Sequence, residues 1–170
     1  MYPFFHLAIP LILFEIPKVQ EKLNINRLAL IIGSILPDLI DKPLSILGLG
    51  SGRGYTHTLL FVGVVYIITL LVSKKNWMVS NGLLIGLGFH LVMDLPEVPL
   101  FYPFVYYDFI YIKTPVEFWF YRLLGNPGIM ITELLGLGSL IYIGINKRLY
   151  VKKNLISFLI NSTATEENDR

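Results

Sequence analysis

Long apolar segments with almost no charged residues are the feature that most limits how this chain can fold. Residues 59–72 and 129–145 are nearly free of charge, and hydrophobic residues make up 54% of the sequence. A water-soluble domain of this size rarely has so many apolar residues, and the mean hydropathy of +0.63 points the same way. The sequence therefore predicts an integral membrane protein built from helices.

Three segments are predicted to cross the membrane, and two shorter segments are less well defined by their length. Residues 56–73, 77–95 and 126–146 each come close to the roughly 20 residues that span a bilayer core as a helix. Residues 3–16 and 28–40 are apolar over about 14 residues, a length that suits a re-entrant helix as well as a thin span. The predicted fold is an all-α, polytopic helical membrane bundle with three firm spans and two short N-terminal helices of open status.

The chain is predicted to have one domain and a short tail. Residues 1–160 show no internal repeat and no second domain, so we expect a single helical membrane domain there. Residues 161–170 are rich in Thr, Glu and Asn and are predicted to be a disordered polar tail. The N-terminus lacks a basic region and a small-residue cleavage site, so we do not expect a removable signal peptide.

Basic residues are distributed unevenly around the predicted spans. Ten of the 14 Lys and Arg residues lie in three clusters that follow apolar segments or at the C-terminus. The positive-inside rule then predicts a protein of the inner (plasma) membrane with its N-terminus outside and its C-terminus inside. The predicted inner residues are Lys18, Lys22, Arg27, Lys74, Lys75, Lys147, Arg148, Lys152, Lys153 and Arg170, and the outer ones are Lys42, Arg53, Lys113 and Arg122. In this orientation all the polar motifs described below lie at the outer face.

Composition also excludes several classes of protein. The net charge of +2, with basic residues beside helix ends, does not indicate nucleic-acid binding. Without cysteine, the chain can form no disulfide, no thiolate zinc site and no cysteine nucleophile. A bound metal would therefore need nitrogen and oxygen ligands.

His90 and Asp94 are the first candidates for such ligands. They are four residues apart, so on a helix they lie on one face with Cβ atoms about 5–6 Å apart. An ionisable residue inside a spanning helix is costly and is most often functional. We predict that both residues bind a metal, and a buried pair with only a structural role is the alternative.

A second motif contains two aspartates. Pro37 is predicted to end a helix or turn the chain, so that Asp38 projects from a fixed bend as a metal ligand. Asp41 is predicted to be a second ligand or a residue that orients a ligand. Pairing of Asp41 with Lys42 in a solvated loop is the alternative.

A third motif contains His57 and Arg53. Thr56, directly before an apolar run, has the position of a helix cap and leaves His57 in the first helical turn as a candidate ligand. Arg53 lies in a glycine-rich loop, where its forked donors could clamp a phosphate. An anchor at the membrane interface is the alternative for Arg53.

Two further residues complete the candidate set. Glu133 lies about two turns into the last apolar span, at a depth similar to that of His90, and is kept as a ligand or a general base. His6 lies near the outer end of the first segment and is kept as a ligand because of that position. Residues 96–121 are rich in Pro, Tyr, Phe and Trp, a composition that suits the headgroup region or a lid over a lipid-like substrate. Membrane lipids are therefore the predicted partners.

These motifs, taken in order, resemble a known family. His6, Gly-Ser-x-x-Pro-Asp-x-x-Asp at 33–41, Arg-Gly-x-Thr-His-Thr at 53–58 and His-x-x-x-Asp at 90–94 resemble the YdjM-type family, described as membrane-bound metal-dependent hydrolases. That family is regarded as a distant relative of zinc-dependent phospholipase C and the P1-type nucleases, which are helical enzymes with multi-zinc sites. The resemblance implies zinc and hydrolysis of a phosphoester. This chain lacks the extra histidines of a third zinc site, so it implies one or two ions.

The activity that follows is metal-assisted hydrolysis of a lipid or lipid-linked phosphoester. The predicted ligands of a first metal are Asp38, His57, His90 and Asp94. His6, with a bridging Asp94 or with Asp41, would contribute to a second metal. Such ions lower the pKa of a water toward about 7 and polarise a phosphoryl oxygen, while Arg53 would steady the phosphate.

Two other functions fit part of the sequence. A metal transporter or a helical scaffold could use the same His/Asp cluster to hold helices together, but a transporter should continue the polar path across the membrane. The inner halves of the predicted spans carry no charged relay. An intramembrane protease ranks third, because the chain has neither His-Glu-x-x-His nor Gly-x-Ser-x-Gly.

Overall fold

Helices account for the regular structure of the chain in the computed structural model, which describes residues 3–160 and contains no β-strand within them. The α-helices in this range are α1 (Pro3–Leu13), α2 (Pro17–Lys22), α3 (Arg27–Ile46), α4 (Leu59–Val72), α5 (Trp77–Asp94), α6 (Pro115–Gly125), α7 (Pro127–Asn146) and α8 (Lys152–Ile160). A 3-10 turn at Tyr55–His57 precedes α4. The predicted all-α class is confirmed. The predicted tail, 161–170, lies outside the described residues.

Two of these helices are long and apolar enough to cross a membrane. They are α5, with 18 residues, and α7, with 20 residues. The third predicted span, 56–73, is not confirmed, because its polar start forms the separate 3-10 turn and leaves only 14 residues in α4. At 1.5 Å per residue α4 is about 21 Å long, shorter than a bilayer core of roughly 30 Å.

The two short N-terminal segments differ from each other. α1 has 11 residues, close to the short helix predicted there. α3 is longer than predicted, at 20 residues, and Pro37 and Pro43 both lie inside it. The prediction that Pro37 ends a helix is therefore wrong. A proline removes one helical hydrogen bond, and α3 nevertheless continues through Pro37 to Ile46, with its extensive contact to α5 supporting the helix.

Local side-chain caps determine where several helices begin. A side-chain oxygen accepts a hydrogen bond from a backbone N–H of the first turn in α3, α4, α5 and α7, which are capped by Asn26, Thr58, Asn76 and Asn126. The cap of α4 is thus Thr58 and not the predicted Thr56. The Thr56 hydroxyl instead donates to the carbonyl oxygen of Pro37, 3.0 Å away, and ties the 3-10 turn to α3.

The contact between α3 and α5 is the most extensive between helices and is made by backbone atoms. A Cβ atom at Gly86 would lie 2.3 Å from the carbonyl oxygen of Leu30, and one at Gly33 would lie 2.3 Å from that of Leu83. No side chain fits at either position. α1 approaches α7 in the same way, because a Cβ at Gly136 would lie 2.6 Å from the backbone nitrogen of Phe5.

Apolar side chains form two small core clusters and cover much of the outer surface. The first cluster contains Leu11, Phe14, Ile25, Leu30, Ile143 and Phe158, and the second contains Val62, Leu87 and Leu91. Large apolar residues on α4 and α7 remain exposed, including Val72 and Ile145. Such an outer surface is unfavourable in water and suits contact with lipid.

Candidate metal centre

Four of the predicted ligands come together inside the bundle. α3 carries Asp38, the 3-10 turn carries His57, and α5 carries His90 and Asp94. One ligand atom of each residue lies within 4.8 Å of those of the other three, and all four residues are buried. We call these residues the four-residue group.

The distances within the group suit a single metal ion. His57 Nε2 lies 3.1 Å from His90 Nε2, and 3.6 Å from Asp38 Oδ1 and from Asp94 Oδ2. His90 Nε2 lies 3.8 Å from the same oxygen of Asp94. Ligand atoms about 2.0–2.1 Å from a tetrahedral zinc are about 3.3 Å apart. The observed separations are close to that value.

Hydrogen bonds of the two imidazole rings leave both Nε2 atoms as acceptors. His90 Nδ1 lies 2.7 Å from the carbonyl oxygen of Ser34, which can only accept, so this nitrogen carries the proton. His57 Nδ1 lies 2.9 Å from Asp41 Oδ2, and a carboxylate likewise accepts. In neutral rings, two Nε2 lone pairs would therefore face each other across 3.1 Å. This arrangement requires a cation between them or a proton on one of them.

The surroundings of His57 can stabilise either cation. Burial by itself lowers the pKa of His57, but the two nearby carboxylates, Asp38 by its charge and Asp41 by its charge and its hydrogen bond, outweigh burial and raise the pKa. A protonated His57 could then donate to His90. Two imidazole nitrogens with two carboxylate oxygens are also a common ligand set for zinc and related divalent metals. The donor atoms of the group therefore fit a metal of this class.

Asp41 holds the ring of His57 from the side opposite the group. Its Oδ2 accepts hydrogen bonds from His57 Nδ1 and from the backbone nitrogen of Gly54, 2.6 Å away. Carboxylates that bind the second nitrogen of a metal-ligating histidine orient the ring and make it a stronger ligand. Ser34 has the same relation to His90 through its backbone carbonyl.

His6 lies beside the group on α1. It is fully buried, its Nε2 lies 3.3 Å from Asp94 Oδ1, and its ring centroid is 4.5 Å from that of His90. Asp94 thus directs one oxygen toward His57 and the other toward His6. The structure brings this fifth predicted ligand to the edge of the group, and a second metal ion there stays a prediction.

Arg53 reaches the group from the loop between α3 and the 3-10 turn. Its Nε lies 3.5 Å from Asp94 Oδ2, and its Nη1 donates to Glu97. Glu97 also accepts from Arg122 of α6. These hydrogen bonds, that of Arg122 foremost, lower the pKa of Glu97. No motif singles out Glu97 or Arg122, and their only signals in the sequence are the predicted outer placement of Arg122 and the aromatic stretch 96–121, which contains Glu97 and ends directly before Arg122.

Glu133 is buried but is not a member of the four-residue group. Its carboxylate oxygens accept hydrogen bonds from the backbone nitrogens of Phe4 and Phe5, at 3.1 and 3.2 Å. These N–H groups belong to the first turn of α1, where a negative charge is favourable. Glu133 thereby holds the N-terminal turn of α1, which carries His6, against α7. Its role as a ligand or general base stays a prediction.

A cavity of about 820 Å³ lies beside the group. Its charged lining consists of Lys42, Arg53, Asp94, Glu97, Asp108 and Arg122. Aromatic and aliphatic side chains from the predicted lid segment, among them Phe109, Phe118 and Trp119, form the rest of the wall. One side of the four-residue group therefore faces a space large enough for a ligand that is partly apolar.

Comparison with known proteins returns a family match over most of the chain. The family described as YdjM inner membrane protein matches residues 1–154. None of the curated proteins and none of the solved structures matches the chain. The wider resemblance to zinc-dependent phospholipase C and P1-type nucleases is therefore not borne out by any comparison.

Proposed function

Because the chain belongs to the YdjM inner membrane protein family, we propose that it is a membrane-embedded, metal-dependent hydrolase that acts on a phosphoester. The observation that carries this proposal is the pair of Nε2 atoms of His57 and His90, which face each other between two carboxylates. Burying several ionisable groups together is costly unless they share a cation. The family and the metal-compatible cluster are observed, whereas catalysis and substrate belong to the proposal.

The residues that would hold the ion, which we propose to be zinc, are Asp38, His57, His90 and Asp94. A divalent ion held by them would act as a Lewis acid, able to polarise a phosphoryl oxygen of the substrate and to lower the pKa of a water. Asp41 and the carbonyl of Ser34 keep both Nδ1 atoms protonated and turn both Nε2 atoms into the group. His6, next to Asp94, would extend the ligand set toward a second ion.

Arg53 binds the phosphate in this proposal. Its guanidinium group presents paired donors that match two phosphate oxygens, and about a quarter of its side chain is open to solvent, at 23%. Since Arg53 also contacts Asp94, a phosphate held by it would lie next to the four-residue group. Arg53 therefore positions the substrate, and we assign it no proton transfer.

A lipid or lipid-linked phosphate is the substrate class we propose. The site lies at the C-terminal end of α5 and beside the second half of α3, next to the cavity, whose lining is rich in aromatic residues. A headgroup could reach the metal ligands while an apolar tail stays along that lining or in the bilayer. We also propose that this end of the bundle faces outside, following the distribution of basic residues.

A non-catalytic scaffold is the second candidate function. It is favoured by one observation, that a protonated His57 would satisfy the group without any metal. The cluster would then only join α1, α3 and α5, which contribute His6, Asp38 and His90.

The metal content of the detergent-purified protein, measured by elemental mass spectrometry, separates these two functions. We expect about one or two equivalents of zinc or manganese in the wild type and loss of the metal in His90→Ala and Asp94→Ala. Ser139→Ala, on the exposed side of α7, is the control and should keep the metal. Metal-free protein that takes up none on titration would refute the hydrolase and support the scaffold.

Catalysis needs its own measurement once metal is found. Phosphate release from a panel of phosphate monoesters, diesters and phospholipids should depend on metal, stop on chelation and return when the metal is added back. If the metal-bound protein hydrolyses none of these compounds, a metal-binding scaffold without catalytic activity is the function that remains.

A further inference from the structure

Glu97 accepts hydrogen bonds from two arginines that come from distant parts of the chain. Arg53 lies in the loop after α3 and Arg122 lies on α6, and both guanidinium groups converge on the one carboxylate. All three side chains line the cavity beside the four-residue group, and the carboxylate of Glu97 is nearly half exposed, at 45%. Two forked donors around one carboxylate form an arrangement that also suits a phosphate, because both anions accept paired N–H donors.

We propose that Arg53 and Arg122 form a binding site for the dianionic phosphate of an amphiphilic phosphate monoester, and that Glu97 fills this site when no ligand is bound. This inference rests on the proposed function, since the ligand would be the substrate or product of that hydrolase. To that function it adds that the ligand is a phosphate monoester, that Arg122 helps to bind it, and that the Glu97 carboxylate competes with it for the two arginines.

The two arginines favour a ligand with two negative charges, because each guanidinium group that would contact it carries one positive charge. The lining contains three cations, from Lys42, Arg53 and Arg122, and three carboxylates, from Asp94, Glu97 and Asp108. Lys42 is paired with Asp38, and Arg53 is shared between Glu97 and Asp94. When Glu97 leaves, Arg122 and Arg53 each lose one hydrogen-bonded carboxylate partner. A phosphate monoester carries close to two charges near neutral pH, whereas a diester carries one.

The cavity also has an apolar lining, which suits the apolar part of such a ligand. Phe109, Phe118 and Ile129 belong to this lining, within the same space as the arginines. Phe118 is 41% exposed, so part of its ring can be covered by a ligand. Burying each methylene of an alkyl chain there contributes about 0.8 kcal/mol, which equals a severalfold gain in affinity.

A simple tether is the competing interpretation of the same contacts. Glu97 would then only join the Arg53 loop to α6, and its removal would loosen the protein without improving anion binding. The two interpretations predict opposite effects of Glu97→Gln on phosphate affinity.

The test is isothermal titration calorimetry on detergent-solubilised, chelator-treated full-length protein, with inorganic phosphate, butyl phosphate and dibutyl phosphate as probes. We expect butyl phosphate to bind more tightly than inorganic phosphate or dibutyl phosphate. Arg122→Gln should weaken butyl phosphate binding about tenfold or more, and Glu97→Gln should strengthen it by a similar factor. Lys153→Gln, an exposed change on α8, is the matched charge control and should leave the affinity unchanged.

Thermal melting of each variant checks that it folds. If Arg122→Gln has a much lower melting temperature than the wild type, Arg122→Lys replaces it. Arg122→Lys should bind butyl phosphate more weakly than the wild type, because lysine keeps the positive charge but lacks the paired N–H donors of the guanidinium group. Unchanged affinity in the Arg122 variant, no gain in Glu97→Gln, or equal binding of the diester would overturn the inference. Because metal is removed in this titration, failure of the metal-content experiment would not alter its result, so the two proposals fail separately.

Discussion

At the scale of single residues, the candidate centre depends on which nitrogen of each histidine carries a proton. Ser34 and Asp41 each accept from an Nδ1 atom and so direct the Nε2 lone pairs of His90 and His57 toward each other. The same two contacts that create a repulsive pair in neutral rings prepare both rings as metal ligands.

Asp41→Asn tests this orientation directly. The amide is uncharged and accepts a weaker hydrogen bond from His57, so we expect metal affinity to fall about 10–100-fold. Competition with a chromophoric chelator measures the change, and Glu21→Gln, at an exposed position on α2, is the control. Equal affinities of Asp41→Asn and wild type would show that Asp41 does not act through His57.

Part of this arrangement could be predicted from the sequence. Four-residue spacing placed His90 and Asp94 on one helical face, and the order of the apolar segments placed Asp38 and His57 at the same end. The partner of His90 could not be predicted, because it is the backbone carbonyl of Ser34, a group that every residue type carries. Glu97 and Arg122 were missed because their pairing depends on how irregular residues between α5 and α6 fold back.

At the scale of helices, glycine positions decide whether the ligands meet. Gly33 and Gly86 let the backbones of α3 and α5 touch, which brings Asp38 to His90. Sequence preferences were less reliable at helix ends. Thr56 and Thr58 are equally good caps by type, and the hydrogen bond from Thr56 to Pro37 across the fold decides between them.

Gly86→Ala should separate α3 from α5. Its new Cβ would lie 2.3 Å from the carbonyl oxygen of Leu30, so the helices must move and the ligands with them. We expect loss of bound metal and a melting temperature lower by several degrees. Gly88→Ala is the matched control, because nothing lies within 4 Å of its Cβ, and it should keep the metal and the stability. Equal metal content in both variants would contradict this account.

Glu133 offers a prediction about α1. Removing its two hydrogen bonds to the first turn in Glu133→Ala should cost about 0.5–2 kcal/mol, the range for a lost helix cap. Chemical denaturation monitored by circular dichroism measures this cost. Glu133→Gln keeps one acceptor and should lose less stability and keep most of any hydrolysis. A general base would behave differently, with hydrolysis abolished in Glu133→Gln while stability and metal content stay high.

At the scale of the whole molecule, the fold class followed from composition and the span count did not. Charge-free apolar runs predicted a helical membrane protein, and the chain belongs to an inner membrane family. The limits of each span could not be predicted from hydropathy, because the 3-10 turn at His57 shortens α4 and α3 continues through Pro37.

The predicted orientation can be tested with single cysteines, since the chain has none of its own. Lys113→Cys should react with a membrane-impermeant maleimide in intact spheroplasts. Lys153→Cys should react only after the membrane is permeabilised, because it belongs to the predicted inner set. The reverse pattern would place the site at the cytoplasmic side.

The backbone contact between α3 and α5 has a consequence for how the four-residue group would bind an ion. Where two main chains touch, no layer of adjustable side chains lies between them to absorb a shift by changing rotamer. The spacing of the main chains that carry Asp38 and His90 is therefore set by direct backbone packing before any ligand arrives. Such a preorganised site would lose little conformational entropy on binding an ion and would discriminate among ions by radius, since it could not easily contract or widen to suit each one.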